Sequence, residues 1–428
     1  MRVLFLNDLY DPRIGSSVRQ MYQHAERLRE LGHEARIVTA TQDRAEVGES
    51  EILGTPVHKL WSDYPVRWRA WVALDNPRVR APMRELLADL RPDVVHSHLV
   101  HTPLGYASLT AAREAGAAVV FTAHDVMTFC YQKLTCFHGG AEHGGELRDY
   151  RAYLAKCIPC QRLRLRPGRN RRIRRVLERD VHRLTVVSDE LGVVLRANGI
   201  RVDRTVHNAI RPQAQLPPPE RVRAFRERHG LGARPVLAIG GRLHEQKGVA
   251  QLLAMLARLA PEFPDLRLLV LGRREIYDEE FAATARELGV DGMVVPTGWL
   301  DGDELQDAYA ASDVFVTPSI CFDTFGLVNL EAMEHAKPVV ATAFGGSPEV
   351  VVDGESGFIA NPFDVESFSE RIARLLRDPA LAQRMGAAGR DRMERLFTID
   401  RLTDDFLDEY GRARAAAAAQ VARTLRAR

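Results

Sequence analysis

Short apolar runs alternate with segments of helical periodicity along the whole chain. The runs of the first half are VLFLND, ARIVTA, DVVHSH, AVVFTAHD, LTVVS and RTVHNAI, and those of the second half are VLAIGG, LRLLVLG, GMVVPTG, DVFVTPS, PVVATAF and GFIA. Between them lie segments such as 16–31 and 82–90, in which apolar residues recur at helical spacing. Strands that alternate with helices are typical of a parallel sheet with both faces covered. The pattern therefore predicts an α/β protein with doubly wound parallel sheets.

A proline-rich stretch interrupts this alternation at RPQAQLPPPE, where four of ten residues are proline. A chain of 428 residues is also longer than one hydrophobic core usually organises. We therefore predict an N-terminal domain over 1–212, a linker at 213–220 and a C-terminal domain over 221–395. Residues 396–428 are rich in strong helix formers, so we expect a helical tail that could pack back on the N-terminal domain.

Composition and charge bear on location and partners. The chain has 46% apolar and 27% charged residues, no apolar stretch of about 20 residues, and an N-terminus that is charged too early for a signal peptide. We therefore expect a cytoplasmic protein. The net charge is only +2, yet eight arginines lie within 162–175. The simplest interpretation of this run is a solvated basic face. The alternatives are peripheral contact with the anionic inner face of a membrane and binding of an acidic acceptor.

A glycine turn in the second half carries two cations. In GGRLHEQKGV, Gly241, Arg242 and Lys247 stand where a predicted strand gives way to a helix. The N–H groups and the positive dipole end of such a helix favour an anion, and the two cations add formal charge. The turn favours a diphosphate site, although glycine after a strand is common in α/β proteins.

A second motif, DTFGLVNLEAM, spaces Asp323 and Glu331 eight positions apart across Phe325 and Gly326. The backbone of a helix that begins near Leu327 could bind sugar hydroxyls, and Glu331 could accept hydrogen bonds from two ribose hydroxyls. The alternative is that the two carboxylates only stabilise a helix N-terminus. A third glycine turn, GGSPEV, follows the next strand, and three such turns in one domain favour a nucleotide-sugar pocket.

In this order, the motifs resemble those of the family 4 retaining glycosyltransferases, which have two facing Rossmann-like domains (the GT-B architecture). GGRLHEQKG is similar to their diphosphate-binding turn, DVFVTPSICFDTFGLVNLEAMEHAKPVVAT to their double-acid motif, and GGSPEVVVDGESGFIANP to the segment that follows it. The N-terminal half is similar more loosely, through IGSSVRQMYQHAERLRELGHEARIVT, DVVHSH, FTAHD, TVVSDEL and VHNAI. The resemblance thus covers most of the chain.

The resemblance implies a role for each matching residue. It assigns Arg242 and Lys247 to the donor diphosphate, Glu331 to the ribose, the backbone of Thr324, Phe325, Gly326 and Leu327 to the transferred sugar, Gly15 and Gly241 to glycine turns near the phosphates, and His124 to the donor sugar. Asp323 stands where the family usually has Glu, which leaves the identity of the donor sugar open.

The activity implied by the resemblance is a retaining transfer of a hexose or N-acetylhexosamine. The donor would be a UDP- or GDP-linked sugar, and the acceptor a hydroxyl of a cell-surface glycan, a lipid-linked molecule or a small natural product. The leaving diphosphate would take the acceptor proton in a front-face route. Since Arg242 and Lys247 would stabilise its charge, we expect catalysis to need no metal cofactor.

Four cysteines fall in an insertion at about 127–175, in the pattern C-x5-C followed by C-x2-C. They are Cys130, Cys136, Cys157 and Cys160. Four thiolates could hold a structural zinc ion, and a cytoplasmic setting disfavours disulfides. Thiols without a metal are the alternative, because the first spacing is wider than in ordinary zinc knuckles.

Two other classes of function remain open at this point. An epimerase of nucleotide sugars or a phosphorylase could use the same paired domains, although none of the five lysines has an evident pyridoxal phosphate context. The arginine run and the cysteines could also mark a zinc-containing nucleic-acid-binding protein. No aromatic residue lies between 162 and 183 to stack on bases, so we expect no nucleic-acid partner.

Overall fold

The computed structural model describes residues 1–12 and 16–426 and divides into two compact units. Within the described part of the chain, unit 1 comprises Met1–Leu134, Tyr150–Asn208 and Ile399–Arg428, and unit 2 comprises Thr135–Asp149 and Ala209–Thr398. Each unit is an α/β domain built on one mainly parallel sheet, which confirms the predicted fold class. None of the described helices combines the length and apolar character that crossing a membrane requires.

Unit 1 contains one eight-stranded sheet. Its strands are β1 Arg2–Asn7, β2 Glu34–Thr41, β3 Gly48–Ile52, β4 Thr55–Trp61, β5 Val94–Leu99, β6 Ala118–Ala123, β7 Arg183–Val186 and β8 Arg204–Thr205. Its helices before the tail are α1 Ser16–Glu30, α2 Arg69–Val72, α3 Pro77–Leu90, α4 Ala107–Glu114, α5 Leu154–Gln161, α6 Arg169–Asp180 and α7 Asp189–Ala197. The order is β3-β4-β2-β1-β5-β6-β7-β8, and only β3 runs antiparallel to its neighbour. The central strands are almost entirely buried, as expected of a sheet covered on both faces.

Unit 2 contains a six-stranded parallel sheet in the order β11-β10-β9-β12-β13-β14. Its strands are β9 Val236–Gly240, β10 Arg267–Leu271, β11 Val294–Gly298, β12 Val314–Thr317, β13 Val339–Thr342 and β14 Gly357–Ala360. Its helices are α8 Pro219–Arg228, α9 Val249–Leu259, α10 Arg274–Glu280, α11 Ala282–Glu287, α12 Gly302–Ala311, α13 Leu327–Glu334, α14 Ser347–Val350, α15 Val365–Arg377 and α16 Pro379–Leu396. The strand order reverses between β9 and β12. In doubly wound sheets ligands bind at this switch point, outside the carboxyl ends of the strands.

The helical tail, α17 Ile399–Arg426, packs on unit 1. Phe406 stacks on His24 with ring centroids 5.2 Å apart, and the Tyr410 hydroxyl lies 2.8 Å from His96 Nδ1. The buried Glu409 accepts a hydrogen bond from Arg183 Nε at 2.7 Å. The tail therefore completes the core of unit 1.

The observed division of the chain assigns two stretches of the predicted N-terminal domain to unit 2, namely residues 209–212 and one longer internal segment. Residues Thr135–Asp149, which we call the strap, fall inside the predicted N-terminal domain but belong to unit 2. The physical reason is aromatic packing. Phe137 is fully buried, with its ring centroid 5.3 Å from that of Phe344, and His138 stacks on the same ring at 5.3 Å.

Candidate functional site

A tight turn follows β9 and carries the first group of predicted site residues. Gly241 adopts a φ of +109°, a conformation that favours glycine, and the exposed Arg242 comes directly after it. The chain then makes one 3-10 turn, Glu245–Lys247, and Gly248 precedes α9 with a φ of +74°. A Cβ atom at Gly248 would lie 1.9 Å from the Pro318 carbonyl oxygen. The turn therefore lies directly against the loop that follows β12.

Lys247 and Asp323 form an ion pair where these two loops meet. Lys247 Nζ lies 3.1 Å from Asp323 Oδ2, and the Asp323 side chain is only 9% exposed. Asp323 also accepts a hydrogen bond from Ser319 Oγ at 3.1 Å. An ammonium group has three N–H donors, so Lys247 can hold Asp323 and still donate to an anion. The structure thus brings together two of the predicted site residues, one from each motif.

Burial and charge act in opposite directions on this pair. Burial would raise the pKa of the Asp323 carboxyl, but the Lys247 charge and the hydrogen bonds from Lys247 and Ser319 hold this pKa below its ordinary value. Burial would also lower the pKa of Lys247, but Asp323 and the nearby Cys321 raise it above its ordinary value. Both groups are therefore ionised at neutral pH.

The glycine turn after β13 fixes the backbone of Asp323. The Gly346 N–H donates to the Asp323 carbonyl oxygen at 2.7 Å, and a Cβ atom at Gly345 would lie 1.9 Å from that oxygen. Gly345 also has a φ of +79°. Only glycine allows this approach, so the GGSPEV motif holds the acidic loop in place.

Glu331 lies in the middle of α13 and is buried. The Tyr309 hydroxyl donates to its Oε2 atom at 2.6 Å. Tyr309 belongs to α12, and its hydroxyl lies 3.5 Å from the position of a Cβ atom on Gly240, the last residue of β9. The structure therefore places Glu331 beside the carboxyl end of the strand that leads into the Lys247 turn.

The alternative that the first acid caps α13 does not hold. The N-cap residue is Gly326, with a φ of +79°, and no side chain caps the helix. Phe325 is buried and packs edge-on against Phe397 with centroids 5.7 Å apart. Thr324 to Leu327 therefore enter the helix with a fixed backbone, and the first helical turn offers N–H groups to a ligand.

Two of the predicted residues fall in the predicted N-terminal domain. Gly15 lies outside the described residues. His124 follows β6 and is half-buried, and its Nε2 atom lies 2.6 Å from His98 Nδ1. Burial lowers the pKa of His124 to about 4, so the imidazole is neutral at neutral pH. His124 can therefore hydrogen-bond a hydroxyl but supplies no positive charge.

The four cysteines of the insertion are divided between the two units. Cys136 lies in the strap of unit 2, whereas Cys130, Cys157 and Cys160 belong to unit 1. Among the described residues, no three of their sulfur atoms lie within 4.8 Å of one another, and each cysteine is a thiol rather than half of a disulfide. Structural zinc stays a prediction.

The arginine run at 162–175 is not one uniform basic face. Arg169 is 2% exposed, donates from Nη2 to the Met127 carbonyl oxygen at 2.6 Å and lies over the Tyr131 ring. The exposed members are Arg162, Arg164, Arg171, Arg172 and Arg175. Part of the run therefore stabilises unit 1, and part remains available to a partner.

Sequence reasoning missed three contributors to the site, namely Tyr309, Ser319 and the strap. Tyr309 stands 22 residues before its partner Glu331, so no local spacing indicates the pair. Ser319 lies four residues before Asp323, in a loop that has no periodicity to interpret. The aromatic residues at 137 and 138 were the one available signal for the strap.

Two family models match this chain. "Glycosyl transferase 4-like domain" matches residues 15–209, and "Glycosyl transferases group 1" matches residues 222–392. Both descriptions favour the glycosyltransferase interpretation over the alternatives of an epimerase, a phosphorylase or a nucleic-acid-binding protein.

The proteins similar to this chain include two curated relatives from one organism and one solved structure. Alpha-maltose-1-phosphate synthase of Mycolicibacterium smegmatis is 30% identical over 362 residues, which cover 80% of this chain and 87% of that protein. The GDP-mannose-dependent alpha-(1-6)-phosphatidylinositol monomannoside mannosyltransferase of the same organism is 37% identical over 180 residues, 41% of this chain and 47% of that protein. Sucrose-phosphate synthase from Thermosynechococcus elongatus superposes with a TM-score of 0.76 at 19% identity, over 97% of this chain and 100% of that one.

Proposed function

We propose that this chain, which belongs to the family 4 glycosyltransferases of GT-B architecture, transfers a hexose or N-acetylhexosamine from a nucleotide-diphosphate sugar to a hydroxyl acceptor with retention of the anomeric configuration. The observation that carries the proposal is the Lys247–Asp323 ion pair at the switch point of the second sheet. In this pair, the Lys247 ammonium can bind a phosphate, and the adjacent Asp323 carboxylate can accept a hydrogen bond from a sugar hydroxyl.

The chemistry follows from the charges that the reaction develops. The bond between the anomeric carbon and the diphosphate oxygen breaks, and a new bond to the acceptor oxygen forms on the same face of the sugar. The acceptor proton passes to the leaving diphosphate. Lys247 and the exposed Arg242 stabilise the negative charge of that leaving group, which contributes a few kcal/mol per donor.

The remaining site residues position the donor. Asp323 keeps capacity to accept a hydrogen bond from a sugar hydroxyl, because a carboxylate has about four acceptor positions. Glu331, held by Tyr309, accepts from the ribose hydroxyls. The mannosyltransferase relative is GDP-mannose-dependent by name, which supports a nucleotide-linked donor and leaves UDP and GDP both to be tested.

A panel of sugar nucleotides tests the proposal. The full chain is incubated with UDP-glucose, UDP-N-acetylglucosamine and GDP-mannose, and release of UDP or GDP is measured with and without simple hydroxyl acceptors. We expect slow hydrolysis of one donor, and proton NMR of a transfer product should show the donor's anomeric configuration. Absence of both release and calorimetric binding across the panel would overturn the proposal, and an inverted product would overturn retention.

We also propose that unit 1 contacts anionic membranes through α5 and the arginines after it. Leu154 and Ile158 stand four residues apart on one face of α5 and are 62% and 51% exposed. Arg162 and Arg164 follow directly and are exposed. Exposed apolar side chains beside cations are typical of a helix that lies in a lipid headgroup layer. This contact would suit a lipid-linked acceptor.

Cosedimentation with vesicles tests this contact. We expect binding to phosphatidylglycerol vesicles, little binding to phosphatidylcholine vesicles, and loss of binding in the double variant Leu154→Ser, Ile158→Ser. Leu288→Ser, which changes an exposed leucine of unit 2, is the matched control and should bind like wild type. Equal binding by the double variant would contradict the proposal.

A further inference from the structure

The strap contacts the acidic loop of unit 2 through two neighbouring residues. The Phe137 ring packs edge-on against Phe322 with centroids 5.9 Å apart, and the His138 imidazole meets the backbone of the loop. His138 Nε2 lies 2.7 Å from the carbonyl oxygen of Ile320, three residues before Asp323. The His138 side chain is buried, with its ring centroid 4.8 Å from that of Phe363 in addition to its stacking on Phe344. The imidazole is therefore fixed on its faces by rings and at its edge by a backbone acceptor.

The hydrogen bonds of His138 define its protonation. The Gly140 N–H donates to Nδ1 at 2.8 Å, so Nδ1 carries a lone pair. Nε2 must then carry the proton, because it faces a carbonyl oxygen. Burial also lowers the pKa of His138, which favours the neutral ring. His138 is therefore a neutral donor that is aimed at the acidic loop.

The Ile320 residue connects this contact to the phosphate turn. Its N–H donates to the Gln246 carbonyl oxygen at 3.0 Å, and the Cys321 N–H reaches the same oxygen at 3.3 Å. Gln246 directly precedes Lys247, and Lys247 pairs with Asp323. One backbone residue thus accepts from the strap and donates to the turn that bears the cation.

The strap has the contacts needed to hold His138 in place. The Asn361 side chain donates to the Gly144 carbonyl oxygen at 2.6 Å, and the Arg148 guanidinium lies 5.2 Å from the centroid of the Phe344 ring. Within the strap, the Asp149 N–H donates to the Phe137 carbonyl oxygen at 3.0 Å. The strap is therefore an ordered element of unit 2, and His138 supplies its hydrogen bond to the Ile320 carbonyl oxygen.

We propose that His138 is a positioning residue of the donor site, which holds the Ile320 peptide so that Asp323 meets Lys247 in the geometry that binds the sugar diphosphate. The kinetic consequence of this proposal, a change in the KM for the donor, rests on the proposed function, because it can be measured only if the protein uses a sugar nucleotide. Its structural consequence, order in residues 318–326, is independent of the substrate.

Two variants in the strap separate positioning from general stability. His138→Ala removes the donor to Ile320, whereas His143→Ala changes an exposed histidine of the same strap whose Nδ1 lies 3.1 Å from the Gly139 carbonyl oxygen. The probe is whichever donor wild type hydrolyses, UDP-glucose or GDP-mannose. We expect His138→Ala to raise the KM for this donor at least fivefold and to leave the KM for the acceptor unchanged. His143→Ala should leave both constants unchanged. His138→Gln, whose amide can still donate to Ile320, should recover part of the donor KM.

Hydrogen exchange of the full chain gives a readout that needs no substrate. We expect faster amide exchange in a peptide covering 318–326 for His138→Ala, and wild-type exchange there for His143→Ala. Unchanged exchange and an unchanged donor KM would overturn the role of His138. Faster exchange in a protein that releases no nucleotide from any donor would leave the role of His138 intact and overturn the proposed function instead.

Discussion

The Lys247 ammonium nitrogen lies 3.1 Å from Asp323 Oδ2, so the charged residues that follow the neighbouring strands β9 and β12 form one ion pair. We predict that Lys247→Ala lowers kcat/KM at least tenfold and also costs about 1–3 kcal/mol of stability. The second effect arises because a largely buried carboxylate loses its charged donor. Steady-state kinetics and thermal unfolding measure the two effects.

Arg242→Ala is the matched comparison, because Arg242 is exposed and, among the described residues, has no ion pair. We expect it to lower kcat/KM at least tenfold with unchanged stability. Normal kinetics in both variants would reject the diphosphate role of this turn.

Gly345 should tolerate no side chain. Gly345→Ala adds a Cβ atom that would meet the Asp323 carbonyl oxygen at 1.9 Å, so the acidic loop must shift and activity should fall at least tenfold. Gly354→Ala is the control, because Gly354 has nearly the same φ, +78°, and nothing within 4 Å of an added Cβ. The control should show only the backbone strain of about 1–2 kcal/mol. Equal activity in the two variants would contradict the steric explanation.

Stability should depend on the protonation of Glu334. Burial raises the pKa of this carboxyl to about 7. The hydrogen bond from the Gln213 N–H lowers the pKa in part, and the neighbouring Glu331 raises it further. The pKa of Glu334 is higher in the folded state than in the unfolded state, so protonation of this carboxyl stabilises the fold. That contribution to the free energy of unfolding is complete below about pH 4.5 and is lost as the pH rises through about 7. Glu334→Gln should therefore be more stable than wild type at pH 8, by up to about 3 kcal/mol, and equally stable near pH 4.5.

Denaturant unfolding of both proteins from pH 5 to 8 measures this difference. Glu287→Gln, at an exposed position of α11, is the control and should follow wild type throughout. A Glu334→Gln difference that does not change with pH would show that the carboxyl stays ionised.

Activity should survive chelation. The positive charge of the site comes from Lys247 and Arg242, and the one Asp-x-Asp sequence, Asp301 and Asp303, lies at the start of α12, where Asp303 pairs with Arg221. We expect unchanged initial rates in EDTA, whereas loss of activity that Mg²⁺ restores would contradict this. Elemental analysis of protein that has not been exposed to EDTA tests the predicted zinc separately, and a metal-free, fully active preparation would remove that prediction.

The strands and the glycine turns could be predicted from the sequence because they depend on local patterns. An apolar run predicts a buried strand, and a glycine before Arg242 or after Phe344 marks a turn at the carboxyl end of that strand. Since parallel strands end at one edge of a sheet, the order of the motifs sufficed to place Lys247, Asp323 and Glu331 in the same domain.

The remaining contacts depend on tertiary packing, which periodicity does not encode. Nothing local distinguishes the buried Arg169 from its exposed neighbours, because its environment comes from Met127 and Tyr131. In the same way, the spacing of Cys136 gives no sign that its segment belongs to unit 2, because that placement depends on the aromatic residues beside it.

The strap has a practical consequence for dissecting this enzyme. A fragment cut at 209–398 would carry the entire second sheet but would lose Phe137, so that Phe344, now 1% exposed, would be uncovered. This fragment would expose an apolar aromatic surface that favours aggregation, so it would be a poor substitute for the full chain in nucleotide-binding studies. Supplying 135–149 as a synthetic peptide, or fusing it through a permuted linker, is the rational route to an autonomous C-terminal half.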